Sequence, residues 1–137
     1  MPTLYSKEKT KTWRLCSEYI RKRDCLKTTG TFEHGTCCTC GVMKPYKLLD
    51  AGHFFEGRHN SILFDVRNIH AQCKGCNGFL EGNRNQYIKF MKREYGQDTI
   101  DLLEDLNKKQ VQYKIHHFKD IQSNFKRMIK ELEDEKP

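Results

Sequence analysis

Two Cys-x-x-Cys pairs, Cys37/Cys40 and Cys73/Cys76, bracket the tetrapeptide Asp50-Ala51-Gly52-His53. Four thiols at this spacing are a natural donor set for one tetrahedral zinc ion. Such an ion would tie together two stretches far apart in sequence and close everything between them into a loop. Gly41, directly after Cys40, permits the tight turn that lets two thiolates face one metal.

The tie matters because the rest of the chain is poor in core-forming residues. Hydrophobic residues make up 36% of the 137, against ~45–50% in an ordinary globular chain. A single domain of this length with a thin core gains from a metal staple. Disulfides are the competing use of seven cysteines. In a reducing cytosol they would not persist, and paired Cys-x-x-Cys motifs read as metal sites there. The stretch Met1-Pro2-Thr3-Leu4-Tyr5-Ser6-Lys7 lacks the apolar centre of a secretory signal. No apolar run approaches the ~20 residues that span a bilayer. The expectation is a cytoplasmic protein with no membrane partner. Cys16, Cys25 and Cys38 remain as free thiols, with Cys16 packed on a helix face.

The chain carries 25 Lys+Arg against 18 Asp+Glu, a formal charge of +7. Four thiolates and one Zn²⁺ together carry −2, which leaves about +5 on the zinc-bound protein. Polyanions are the partners such a charge favours.

Trp13, Cys16 and Ile20 recur at helical spacing and predict a helix over about 8–26, ending near Thr28-Thr29-Gly30. Its basic face, with Arg14, Arg21, Lys22 and Arg23, reads equally as solvated surface or as a phosphate-tracking face. Residues 31–80 are short, irregular segments rich in Cys, Gly and His. Leu48–Phe54 suits a strand, 56–61 a loop, and Ile62-Leu63-Phe64 with Asn68-Ile69-His70 a return strand. Asn77 or Asn83 would cap the helix that follows. Tyr87, Ile88, Met91 and Tyr95 continue it to a stop at Gly96. A short helix over about 98–108 is expected to bury Leu102, Leu103 and Leu106. Phe118, Ile121, Phe125, Met128, Ile129 and Leu132 define an amphipathic last helix, with an acidic tail from Glu131 to Pro137 that should fray. These elements make an α+β protein in three stretches of one compact domain: a basic helix (1–30), a zinc-tied centre (31–96) and a helical extension (97–137).

The centre resembles the HNH endonucleases, also called ββα-metal or His-Me finger nucleases. The resemblance covers roughly residues 37–90. It rests on Cys37-x-x-Cys40-Gly41, Ala51-Gly52-His53-Phe54, Asn68-Ile69-His70-Ala71-Gln72-Cys73-x-x-Cys76-Asn77, and Gly82-Asn83 followed by Tyr87. More closely it is similar to the NinG/Rap family of lambdoid phages, which acts on recombination intermediates; Tyr19-Ile20-Arg21-x-Arg23-Asp24 fits that family too. The cysteine frame with Asn after the last Cys is also similar to that of the T-even phage endonuclease that resolves branched DNA. If phage-encoded, the protein would work in the host cytoplasm.

The resemblance implies a small zinc-stapled ββα-metal core and a metal-dependent DNA endonuclease acting on branched or recombining DNA, or nicking it. The residues also make chemical sense unaided. An imidazole titrates near pH ~6.5, so at neutral pH His53 can take a proton from water as general base. Mg²⁺ or Mn²⁺ takes oxygen donors, and Asn77 with Asp50 could hold one such ion. That ion would clamp the scissile phosphate and stabilise the departing oxygen. The resemblance casts Asn68 as the residue that orients the catalytic histidine across the strands. The zinc is structural, because four thiolates leave no open position.

One departure stands out. In many HNH proteins a metal-binding acid immediately precedes the catalytic histidine; here that position is Gly52 and the nearest acid is Asp50. Asp50 is thus either a ligand reached across a bend or a turn residue. Asn77 has a helix cap as its plainer role. His70 reads as structural. Arg58, Lys74, Arg21 and Arg23 are the expected DNA contacts. Phe54, Phe55 and Phe64 read as core, with Phe55 also able to wedge into a DNA groove. The competing reading is a non-catalytic zinc module that binds DNA or RNA. A third is a protein–protein adaptor docking through the last helix. Dimerisation is a further expectation, motivated by the two opposed cuts a four-way junction requires.

Overall fold

The computed structural model of the chain describes residues 1–56 and 61–135. Helix α1 spans Leu4–Thr29, longer at both ends than the apolar spacing predicts. Thr3 explains the early start. Its hydroxyl accepts from the Ser6 amide at 3.0 Å, satisfying one of the first-turn N–H groups that have no helical partner. At the other end Gly30 adopts φ 77° and its amide reaches the Leu26 carbonyl at 2.9 Å, a left-handed cap that glycine forms without steric penalty.

Two antiparallel strand pairs follow. Strand β1 (His34–Thr36) pairs with β2 (Met43–Pro45), and the first cysteine pair sits in the loop between them. Strand β3 (Leu49–His53) pairs with β4 (Ile69–Cys73), setting Gly52 opposite His70 and His53 opposite Ile69. The alternation of the strands divides their side chains between two faces. Leu49, Ala51, Ile69 and Ala71 pack against Cys16, Ile20 and Cys25 of α1. Asp50, Gly52, His70 and Gln72 point to the other face, which is covered by helix α2 (Arg84–Glu94). Tyr87 of α2 is fully buried there and donates its hydroxyl to the Gly52 carbonyl at 2.7 Å.

A two-stranded sheet leaves unpaired edges that must be satisfied. The outer edge of β4 is closed by α1 and the first cysteine loop. Arg23 donates to the carbonyls of Val66 and Ile69, each at 2.8 Å. Asp24 accepts from the Ala71 amide at 2.8 Å, and the Cys38 amide donates to the Ala71 carbonyl at 3.0 Å. The corresponding edge of β3 borders the cleft described below.

A single π-helical turn, Gly75–Phe79, leads from Cys73 toward α2. Helices α3 (Gln97–Asn107) and α4 (Ile115–Glu135) complete the chain. One core cluster joins Phe54, Ile62, Tyr87 and Met91 to Ile100 and Leu103 of α3. Helix α4 lies along α1 in the same direction, since Lys119 pairs with Glu8 and Glu133 with Lys22. Gln122 is buried between them and donates to the Thr12 hydroxyl at 3.0 Å. Among the described residues, no helix is long and apolar enough to cross a membrane.

Three expectations are corrected. Ile62-Leu63-Phe64 forms a turn and not part of the return strand: Ile62 is drawn into the α2–α3 core, away from β4. Leu102 is exposed, because α3 turns its Ile100 and Leu103 inward instead. The acidic tail is helical as far as Glu135, held by Arg127–Glu131 at 2.8 Å and Lys22–Glu133 at 3.4 Å.

Candidate metal centre and catalytic cleft

The four sulfurs of Cys37, Cys40, Cys73 and Cys76 all lie within 4.8 Å of one another. Cys40 Sγ and Cys73 Sγ are 3.7 Å apart. Zn–S bonds of ~2.3 Å at tetrahedral angles require sulfurs about 3.8 Å apart, so the donor set fits one zinc ion. Local donors favour the thiolate form. The Cys76 amide points at Cys73 Sγ (3.4 Å), Asn83 Nδ2 at Cys76 Sγ (3.5 Å), and the Thr39 hydroxyl lies 3.3 Å from Cys37 Sγ. Burial alone would raise the Cys37 thiol, but the Thr39 hydroxyl and the backbone amides around it bring it down to about 6, while burial and the neighbouring thiols push Cys40 and Cys73 up. Gly41 at φ 80° closes the first turn as expected, its amide on the Cys37 carbonyl. Cys38 faces the core cluster instead, where burial pushes its thiol well up.

Beside this centre, along the edge of β3, opens a cleft of about 810 Å³ bordered by Trp13, His53, Glu56, Asn77 and Glu81. The His53 ring is held from two sides. Trp13 of α1 stacks on it at 4.9 Å between centroids and 21° between planes. Its Nε2 lies 2.9 Å from the Leu63 carbonyl. A carbonyl only accepts, so Nε2 carries the hydrogen and the neutral ring keeps its lone pair on Nδ1. Burial lowers the pKa of this imidazole, outweighing the opposing effects of the Leu63 carbonyl and Glu56. It is therefore neutral, and able to accept a proton, at pH 7.

Asn68 does not touch that ring. It is fully buried, accepts from the Phe55 amide at 2.9 Å and donates to the Phe55 carbonyl at 2.8 Å. Its own carbonyl accepts from Phe54 at 2.7 Å. It thus pins the chain immediately beyond His53 and acts on the histidine only through the backbone.

Asn77 is common to the cleft and to a smaller groove of about 330 Å³ that also takes in Arg21, Lys47, Asp50 and Lys74. In that groove Asp50 pairs with Lys74 at 2.6 Å and accepts from Asn77 Nδ2 at 3.1 Å. Arg21 rests over the Tyr46 ring at 4.4 Å. Gly52 has a packing reason: a Cβ there would lie 1.9 Å from Gln72 Oε1 and 2.9 Å from Asn77 Oδ1. An acid directly before His53 would require the Gln72 and Asn77 side chains to move. Gln72 is itself buried; its Nε2 donates to the Thr39 hydroxyl and to the Gly82 carbonyl, while Oε1 has no hydrogen-bond partner among the described residues.

The family model described as "Bacteriophage Lambda NinG protein" matches residues 5–135. The chain belongs to the NinG family. It is 30% identical over 97 residues to Protein ninG of Escherichia phage lambda, covering 70% of this chain and 47% of that protein. Protein ninG of Escherichia phage 933W is 29% identical over the same length and coverage. Protein ninG of Salmonella phage P22 is 29% identical over 99 residues, 72% of this chain and 48% of that protein. The chain thus spans about half the length of the curated relatives it matches. No solved structure matches it.

Within this NinG-family chain the expected site residues divide. His53 and Asn77 border one cleft, and Arg21, Asp50 and Lys74 border the adjoining groove. Arg23 is corrected: its guanidinium is half-buried, paired with Asp24 at 2.8 Å and bonded to two carbonyls of the β4 segment. It clips α1 to the sheet, its guanidinium nitrogens spent on Asp24 and those two carbonyls. His70 is buried, with the hydroxyls of Tyr95 (2.7 Å) and Tyr87 (3.3 Å) on its two nitrogens. Arg58 and His59 lie outside the described residues. Sequence reading missed Trp13, Glu56 and Glu81 as cleft residues. A tryptophan on an apolar helix stripe signals core, and only the fold brings it over a histidine forty residues away.

Proposed function

We propose that this NinG-family chain is a metal-dependent DNA endonuclease of the HNH type, with His53 as general base. The observation that carries the reading is the state of His53. Its ring is stacked, its tautomer is fixed by Leu63, and it shares a cleft with Asn77 beside a cationic groove. A purely structural histidine has no need of a held lone pair at a cleft wall.

The donors around that cleft suit a hard divalent cation. Asn77 supplies a carboxamide, Asp50 is bonded to it, and Glu56 and Glu81 bring carboxylates to the border; Mg²⁺ and Mn²⁺ take oxygen donors of this kind. Asp50 shares its carboxylate with Lys74; Asn77 and the two glutamates are the donors that border the His53 cleft. When bound, the ion would offset charge on the phosphate and the leaving oxygen. The protein's own part is better defined. Nδ1 of His53 takes the proton of the attacking water. Trp13 and Leu63 keep the ring aimed, and Asn68 fixes the backbone behind it. Arg21, Lys47 and Lys74 seat the phosphates flanking the cut. A zinc held by the four cysteines would fix the Cys76–Asn77 turn against β4 and take no part in the chemistry.

Branched or recombining DNA as substrate, and a dimer to cut it twice, rest on the family resemblance. A non-catalytic nucleic-acid binder is the second reading, favoured by the same cationic groove. Incubation with supercoiled plasmid separates the two. The parent is expected to nick with Mg²⁺ or Mn²⁺ and not with chelator, and His53→Ala is expected to bind but not nick. A parent that binds without nicking under any divalent ion would leave the binder.

A further inference from the structure

Residues 75–83 hold two large apolar side chains out into solvent. Phe79 is 89% exposed and Leu80 52%. These stand on a turn that is unusually well fixed. The Leu80 amide bonds Gly75, the Glu81 amide Gly78, the Gly82 amide Cys76 and the Asn83 amide Leu80, all at 2.8–3.0 Å. The buried Gln72 amide grips the Gly82 carbonyl at 2.9 Å. Glu81 and Asn83 adopt φ 51° and 49° on either side of Gly82 at 95°, so three successive residues are left-handed. Two of them are not glycine, a conformation that only firm surroundings maintain.

The turn stands at the border of the cleft and the groove. Asn77, two residues earlier, borders both the His53 cleft and the groove with Arg21, Lys47 and Lys74. Gly78, Glu81 and Gly82 border the cleft as well. A strand with its phosphates in the groove brings its bases past this lip. An aromatic ring offers every base the same stacking surface, without sequence preference.

We propose that Phe79, with Leu80 beside it, is a base-stacking contact that receives an unstacked nucleobase next to the phosphate seated at His53. The inference rests on the nuclease reading for its orientation but not for its measurement. Within it, Phe79 reads the state of the base stack, and the cationic groove binds backbone regardless of pairing.

The test is fluorescence anisotropy with two labelled DNAs, a perfect duplex and the same duplex with a small mismatch bubble. His53→Ala serves as the starting protein, so cleavage cannot interfere. Because Phe79 is exposed, Phe79→Ala leaves no cavity and folding is checked by circular dichroism. The expected result is that Phe79→Ala lowers the bubble-over-duplex affinity ratio about tenfold, that Phe79→Trp restores it, and that duplex affinity is unchanged. Equal loss on both DNAs, or no change on either, overturns the proposal. So does sedimentation showing a dimer that Phe79→Ala turns into monomer, which would make the knob a contact between copies. A parent that never cuts, with the ratio still dependent on Phe79, would defeat the nuclease reading and leave the stacking contact standing.

Discussion

His53 and His70 lie one pair apart on adjacent strands, and the fold treats them in opposite ways. Both nitrogens of His70 are taken, by the hydroxyls of Tyr95 and Tyr87, and Phe90 packs on its ring. Burial drives its pKa down to about 3, so it stays neutral as a packing element. His53 has one nitrogen held by a carbonyl, and no protein partner for the other among the described residues. The same contrast runs through their surroundings. On the closed side, Arg23 and Asp24 satisfy each other and the β4 edge, and two tyrosine hydroxyls satisfy His70. On the open side, Asn77, Glu56 and Glu81 face a cleft. Residue type alone carries no function here; what the neighbours leave unsatisfied does.

The largest effect that could break this contrast concerns the element both sides share. Cys73→Ser removes one of the four clustered thiols at the end of β4, and zinc binding contributes folding energy outright in sites of this kind. Metal analysis should find one zinc per parent chain and none in the variant, with loss of cooperative thermal unfolding. A zinc-free variant that melts like the parent would show that hydrophobic packing suffices.

Next in size is the closed side itself. Asp24→Ala leaves Arg23 half-buried without its carboxylate and the Ala71 amide without its acceptor. Removing one partner of a buried pair costs about 3–5 kcal/mol, and the partial exposure of this pair points to the lower end. Urea unfolding should register that loss; a change under about 1 kcal/mol would make the clip dispensable.

The His70 pKa gives a pH signature. In the unfolded chain His70 titrates near ~6.5, and in the fold only near about 3. Between those values the unfolded state binds the extra proton. Stability contributed by this group is whole above ~6.5 and is lost as pH falls toward 3. His70→Phe should flatten that acid limb in urea midpoints measured from pH 7 to pH 4. An unchanged slope would assign the limb to other groups. The smallest effect expected is Tyr95→Phe, which deletes one hydroxyl from the pair and costs about 1 kcal/mol.

The sequence was most legible where chemistry depends on spacing. The cysteine pairs, the β3 strand and its histidine, and the apolar stripes of α1, α2 and α4 follow from periodicity and ligand geometry. It was least legible where a polar side chain is buried. Arg23 and Asp24 look like surface charge on a basic helix, because nothing local says that a strand edge needs them. Ile62 looks like strand because it is β-branched, yet its burial among Phe54, Tyr87 and Leu103 is decided by α2 and α3. Gly52 looked like a lost ligand; it is a space filled by Gln72 and Asn77. Phe79 gave no signal at all, since exposure of one aromatic is a property of the fold.

The central claim is that one histidine of the pair is chemical and the other structural. Nicking of supercoiled plasmid with Mg²⁺ or Mn²⁺, run side by side for His53→Ala and His70→Phe at a temperature where both are folded, tests it directly. The account predicts a loss of about 100-fold or more for His53→Ala and a rate within about threefold of the parent for His70→Phe. Equal activity in His53→Ala and parent, or loss confined to His70→Phe, would contradict it.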